Sequence, residues 1–189
     1  KNAKPEWNLP FGPMPYIQGL DDDISFARKK ALTAAAANYG SPMMWVEGHT
    51  TPPDQALDSI QWEGVLTFTK ADLKKRYDDL SPQGQVDLVV IGCPQASLEE
   101  MQSTASALRT HMSEGNTVPN QRLWVFTSQE NHAQALDDGT ISTLEEAGAL
   151  VLVDTCPEVT PYNREKYNHL LTNSMKAEHY LTSGLNRIP

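Results

Sequence analysis

With 189 residues the chain has room for one domain, or one and a half, around a sizeable apolar core. Its 24 acidic against 15 basic residues give a net charge of −9 and no basic stripe for a phosphate backbone, which argues against nucleic acid as a partner. The longest aliphatic runs fall far short of the ~20 residues a membrane helix needs. Two cysteines and nothing resembling a secretory signal exclude a disulfide scaffold, so a cytoplasmic protein with no membrane partner is expected.

Residues 5 to 16 (PEWNLPFGPMPY), with four prolines and three aromatics, predict an irregular packed arm rather than a helix or central strand. Asp21 to Asp23 offer N-caps to an alanine-rich helix over Ile24 to Tyr39, closed by Gly40. Met43 to Val46 predicts a short strand leading into Glu47-Gly-His49-Thr-Thr-Pro-Pro-Asp54, a loop whose Pro and Asp favour the start of another helix. Val65 to Phe68 is a further strand candidate, and Thr69 caps a charged surface helix running to Leu80. The chain opens on Lys1 rather than Met and stops at Pro189 just after an ordered-looking segment, the pattern of a piece cut from a longer polypeptide.

From Val86 the pattern is regular. Strand 86–91, a helix from Ser97 to about Met112, strand 122–127, helices near 130–137 and 141–147, and strand 149–153 form a β-α-β-α-β series. Such alternation predicts a three-layer α/β/α fold with a mainly parallel sheet and right-handed crossovers. Ser97 with Glu100 forms a capping box, and Thr143 with Glu146 repeats the pattern. Residues 1–84 are expected to hold the arm, helix and short strands as part of an adjoining α/β unit, and residues 85–189 the repeating unit.

The two cysteines sit in matching contexts, Val-Ile-Gly-Cys93-Pro-Gln and Val-Asp-Thr-Cys156-Pro-Glu, each after a continuous aliphatic run and each followed by proline. Unalternated aliphatic runs are strands covered on both faces, and the proline is expected to end each strand. Ligands of open α/β sheets lie beyond the carboxyl ends of the strands. Both thiols are therefore candidates for a metal or a nucleophilic site, with burial as small core residues the plainer alternative. Past the last strand, Asn173, Ser174, Lys176, His179 and Tyr180 crowd into eight residues. On a helix Lys176, His179 and Tyr180 share a face, and Asn173-Ser174 would stand at its start, where anions are received.

Taken together, Gly92-Cys93-Pro94 with Ser97-Leu-Glu-Glu100, Glu146-Ala-Gly148 with Asp154-Thr-Cys156-Pro157, and Thr172-Asn-Ser-Met-Lys-Ala-Glu-His-Tyr180 resemble the aconitase X family of hydro-lyases. The resemblance runs from about Ala34 to Tyr180 and takes in the Glu47-Gly-His49-Thr-Thr-Pro loop. It implies an iron–sulfur enzyme that removes water from a small hydroxy acid, cis-3-hydroxy-L-proline in first place and mevalonate 5-phosphate in second. On that reading Cys93 and Cys156 are cluster ligands, with at least one further ligand outside this chain. Lys176 and His179 are catalytic, and Ser174, Lys176, Asn173, Gln95 and His49 bind substrate. A small swivelling domain or subunit of the same enzyme is the implied partner. Gln95 stands where the family tends to carry His, which keeps hydrogen bonding and forgoes proton exchange near neutral pH. Two other classes compete: a non-catalytic doubly wound α/β binding domain with core cysteines, and an enzyme with Cys93 as nucleophile and His49, His132 or His179 as base.

Overall fold

A computed structural model describes residues 2–3, 14–50, 61–82, 84–163 and 165–183, and the chain divides into two units, Lys1–Ser81 and Pro82–Pro189. The first unit holds strands β1 (Asn2–Ala3) and β2 (Met14–Ile17), helix α1 (Phe26–Asn38), strand β3 (Trp45–Val46) and helix α2 (Lys70–Leu80). β2 lies between β1, antiparallel, and β3, parallel. The strand at Met14–Ile17 corrects the irregular arm expected there: prolines forbid a helix but not an extended segment, and Tyr16 and Ile17 find partners in Trp45 and Val46. The rest of that arm, and the proline loop over 51–60, lie outside the described residues. Among the described residues no ladder forms at Val65–Phe68, where Val65, Leu66 and Phe68 are exposed; β-propensity acts only against a partner strand.

Local chemistry sets the helices of this unit. Ser25 rather than an aspartate caps α1, its hydroxyl accepting from Arg28 N–H at 3.3 Å. Thr69 and Asp72 form a reciprocal capping box on α2. That helix buries no residue, and its exposed Lys74–Asp78 and Lys75–Asp79 pairs are worth only ~0.3–0.5 kcal/mol each, so its cap, at roughly 1 kcal/mol, matters more.

The second unit runs β4 (Leu88–Ala96), α3 (Leu98–Ser113), β5 (Leu123–Thr127), α4 (Gln129–Asp137), α5 (Thr140–Glu146), β6 (Ala149–Val153), β7 (Leu170–Thr172) and α6 (Met175–Ser183). Its four strands lie in the order β6-β5-β4-β7, every neighbouring pair parallel, giving the expected α/β fold. Alternate residues feed two faces. Leu123, Val125 and Ala149 meet Met101 and Ala105 of α3, Ala135 of α4, and Ile141 and Leu144 of α5. Leu88, Val90, Trp124 and Phe126 face the other way onto Tyr162, Tyr167 and Leu170, and α6 adds Ala177 and Leu181 beside Cys93. Phe126, wholly buried, contributes on the order of 2–3 kcal/mol.

The Ser97 and Glu100 capping box is present, but Thr143 does not start a helix. α5 begins three residues earlier, after Gly139 in a left-handed conformation, and the Thr143 hydroxyl instead donates to Gly139 O at 3.1 Å and accepts from Arg109 at 2.5 Å. β7, which the aliphatic pattern did not reveal, is tied to the start of β4 through Asp87. That carboxylate accepts the backbone N–H groups of Asn168 and His169 at 2.9 and 3.1 Å, and these two bonds hold its carboxyl below the usual range. No helix among the described residues is long and apolar enough to cross a membrane.

Pro94 does not end β4 as expected. Ile91 pairs with Val125 and Ala96 with Thr127, so five steps along β4 oppose two along β5 and Gly92-Cys93-Pro94-Gln95 bulges out of the ladder. Gly92 starts the bulge with φ +103°, and a Cβ there would stand 2.1 Å from the Phe126 carbonyl oxygen. Ala96 then rejoins, its carbonyl accepting from Thr127 Oγ1 at 2.8 Å and Asn131 Nδ2 at 3.2 Å. Gly92→Ala is expected to destabilise this unit by at least about 2 kcal/mol, through left-handed strain and backbone overlap together. Urea denaturation compared with Gly148→Ala, whose added Cβ meets its nearest atom at 3.3 Å, checks this; equal losses would show that the contact at Phe126 relaxes freely.

Candidate active site

All four strands of the second unit point their carboxyl ends at one edge, and three segments leave that edge together: the β4 bulge, the loop after β6, and the turn from β7 into α6. β5 separates β4 from β6, so the two cysteine-bearing strands run ~10 Å apart and their loops converge over the end of β5. Between them lies a cleft of about 570 Å³ lined by Cys93, Gln95, Asp154, Cys156, Glu158 and Lys176, with Tyr180 and neighbouring backbone. Neither cysteine is in a disulfide; Cys93 is 8% exposed and Cys156 more so.

Backbone bonds fix both cysteines. The Ser174 hydroxyl donates to Cys93 O and accepts from Ala177 N–H at 3.1 Å, capping α6 and tying it to the bulge in one residue. The Cys93–Pro94 peptide is cis. Cys156 O accepts from Thr160 Oγ1 at 2.9 Å and Thr160 N–H at 3.2 Å, closing a turn over the buried Pro157. Gln95 Nε2 donates to Thr155 O at 3.1 Å and so joins the two cysteine loops across the cleft. Asp154, in a left-handed conformation, accepts the Gln129 N–H at 2.9 Å and holds the β6 end against the start of α4.

Burial pushes the Cys93 thiol above its ordinary value, against the pull of the Lys176 ammonium and the Ser174 hydroxyl; Cys156 and Glu158 add to the rise. A nucleophilic cysteine needs the opposite shift, and no histidine lines the cleft. The arrangement therefore disfavours Cys93 as an attacking thiol. As a metal ligand Cys93 would give up that proton on coordination, so its affinity for a metal would rise with pH. Among the described residues no group of three or more His, Cys, Asp or Glu stands together as a complete metal site, so the two cysteines would form part of a ligand set.

The other residues singled out in the sequence separate here. Lys176 and Tyr180, one turn apart on α6, line the cleft, whereas His179 does not and instead stands edge-on to Tyr180 at 5.5 Å. Asn173 is exposed and off the lining. The Ser174 proton is committed to Cys93 O, so its hydroxyl holds the loop. His49 belongs to the first unit, with its Nε2 3.0 Å from Asp21 O. Sequence reasoning missed Glu158 and Tyr162. Tyr162 packs beside Cys93, and burial followed by the charges of Cys156, Cys93 and Glu158 raises its phenol well above the ordinary value. The Pro-Glu following Cys156 was the available signal for Glu158; nothing in the sequence marked Tyr162.

The second unit is an α/β domain whose parallel-sheet edge gathers two cysteines and a lysine in one cleft. The family model described as aconitase X third domain matches residues 86–188, and the chain belongs to the aconitase X family. It is 33% identical over 157 residues to the phosphomevalonate dehydratase large subunit of Aeropyrum pernix, covering 82% of this chain and 37% of that protein. The large subunit from Methanocaldococcus jannaschii is 36% identical over 158 residues, with the same shares. The cis-3-hydroxy-L-proline dehydratase of Pseudomonas aeruginosa is 31% identical over 189 residues, covering 89% of this chain and 30% of that protein. The crystal structure of Thermococcus kodakaraensis aconitase X in its holo-form superposes with a TM-score of 0.75 at 27% identity, over 95% of this chain and 45% of that one. The chain thus spans 30–37% of the length of these curated relatives, and those relatives are named as dehydratases.

Lys176→Met is expected to push the Cys93 thiol still higher, because it removes the charge that favours the thiolate. In metal-free protein carrying Cys156→Ser, the pH midpoint for iodoacetamide alkylation of Cys93 should move up, slowing reaction at any pH below it. A midpoint that stays put would show that the ammonium does not act on the sulfur.

Proposed function

We propose that this chain is the cysteine-bearing part of an aconitase X-type dehydratase, inactive by itself, in which Cys93 and Cys156 are two ligands of an iron–sulfur cluster. The observation that carries the reading is the convergence of both cysteine loops and Lys176 on one cleft in a chain of this family. At least one more ligand comes from outside the described residues, since two thiolates do not complete such a cluster. When bound, an iron–sulfur cluster with an open iron position supplies a Lewis acid for the departing hydroxyl. The chain's own residues bind and orient. Lys176 receives the substrate carboxylate, Tyr180 lines the cleft one turn on with the His179 ring edge-on to its own, Ser174 ties the β4 bulge to α6, and Gln95 joins the two cysteine loops. The proton α to the carboxylate and the hydroxyl leave together as water, forming a carbon–carbon double bond.

The lining favours an amino acid as substrate. Lys176 shares the lining with Glu158 and with Asp154, whose carboxylate also accepts the Gln129 N–H, and a cation and carboxylates on one cleft wall suit the carboxylate and ring ammonium of cis-3-hydroxy-L-proline. Mevalonate 5-phosphate is the second reading, supported by relatives named phosphomevalonate dehydratase; its phosphate would need cations beyond this lining. A small swivelling domain or subunit completes the enzyme, in line with relatives named as large subunits. Two free thiols at one cleft suit the reducing cytoplasm.

In the assembled enzyme, Cys93→Ser and Cys156→Ser should each lose iron and the visible charge-transfer absorption with the melting temperature of the metal-free protein little changed, because Ser is a poor soft ligand of similar size. Lys176→Met should retain iron and lose about 10- to 150-fold in kcat/KM, the equivalent of a charge-assisted hydrogen bond of ~1.5–3 kcal/mol. Iron content, melting curves and steady-state rates on both substrates check these outcomes. Full iron occupancy in either serine variant would remove that cysteine from the site.

A further inference from the structure

We propose that Tyr162 is a positioning residue for the metal group, its phenol O–H donating a hydrogen bond to a sulfur of the cluster held by Cys93 and Cys156. The inference rests on the reading of those two cysteines as metal ligands. The phenol oxygen is buried and has no hydrogen-bond partner among the described residues. A hydroxyl buried in this way is unfavourable unless an acceptor arrives, and packing opposes any turn of the ring towards solvent. The ring lies stacked on Trp124 at 5.3 Å and 16°. Trp124 is itself pinned, by the bond from its Nε1–H to Gln121 O at 3.2 Å and by edge contacts with Phe126 and Tyr167.

The same tyrosine bridges two clusters, packing against that of Trp124 and Phe126 on one side and that of Cys93, Ala177 and Leu181 on the other. Its buried hydroxyl is thus held on the side of the sheet where Cys93 stands. A phenol is a donor at neutral pH, and a metal-bound thiolate or cluster sulfide is an acceptor. Donors to such sulfurs withdraw electron density, raise the reduction potential and strengthen the hold on the metal.

The test compares wild type, Tyr162→Phe and enzyme carrying 3-fluorotyrosine at position 162, each reconstituted with iron and sulfide in the assembled enzyme. Tyr162→Phe should leave the metal-free melting temperature at or above wild type, hold iron about 10- to 100-fold less tightly against a chelator, and show a more negative reduction potential. The fluorinated ring keeps its shape and donates more strongly, so its potential should move the other way. Unchanged iron retention and potential in the Phe variant overturn the proposal, as does a fall in melting temperature with the potential unmoved. In both cases the cysteine reading stands if wild type holds iron and Cys93→Ser does not. A wild type that takes up no iron overturns the two together.

Discussion

The missing side chain at Gly92 is the constraint on which the second unit turns. β4 is flanked by β5 and β7 and cannot leave the sheet, yet it has to carry a residue that faces outward from the sheet's edge. A bulge reconciles the two demands, since the strand pairs up to Ile91, swings four residues out of the ladder and rejoins at Ala96. The swing begins where the backbone presses on the Phe126 carbonyl, and no L-residue with a Cβ fits that approach. Cys93, Pro94 and Gln95 owe their place over the end of β5 to that contact. So does the bond from Gln95 to the opposite loop.

Charge in the cleft is arranged in opposition rather than in one sign. Glu158 and the second sulfur raise the Cys93 thiol, and Lys176 lowers it. Burial outweighs the lysine, so the Cys93 thiol holds its proton more tightly than an ordinary cysteine does. A bound metal cation would reverse the balance: the carboxylate and the second sulfur that penalise a lone Cys93 thiolate would become its favourable neighbours, leaving Lys176 to serve an anion.

Much of this was legible in the sequence, for reasons that differ between elements. β4, β5 and β6 announced themselves through the apolar runs over 88–91, 123–126 and 149–153, whose residues are all buried or half-buried. The Ser97 and Thr69 caps are local chemistry and could be read directly, whereas Thr143-Leu-Glu-Glu146 carries the same letters inside a helix whose start is set by a turn at Gly139. β7 has three residues, one of them exposed at 36%, and exists through pairing with a strand some eighty positions earlier, which no window of sequence contains. The common edge of the two cysteines followed from strand direction alone. The path of residues 157–169 did not, because a loop without periodicity gives no hint that Tyr162 folds back under Trp124.

Ser174 joins two jobs in one hydroxyl, capping α6 with its lone pair and gripping the carbonyl of Cys93 with its proton. The sulfur and the Lys176 ammonium therefore sit at the two ends of a short mechanical linkage: one peptide group, one hydroxyl and one helical turn. A displacement of the bulge is transmitted to the base of the helix with no flexible segment between to absorb it. Any coupling carried by this linkage is reciprocal, so the factor by which binding at one end changes affinity at the other applies in both directions. An occupied metal position and an occupied anion position in this cleft would report on each other.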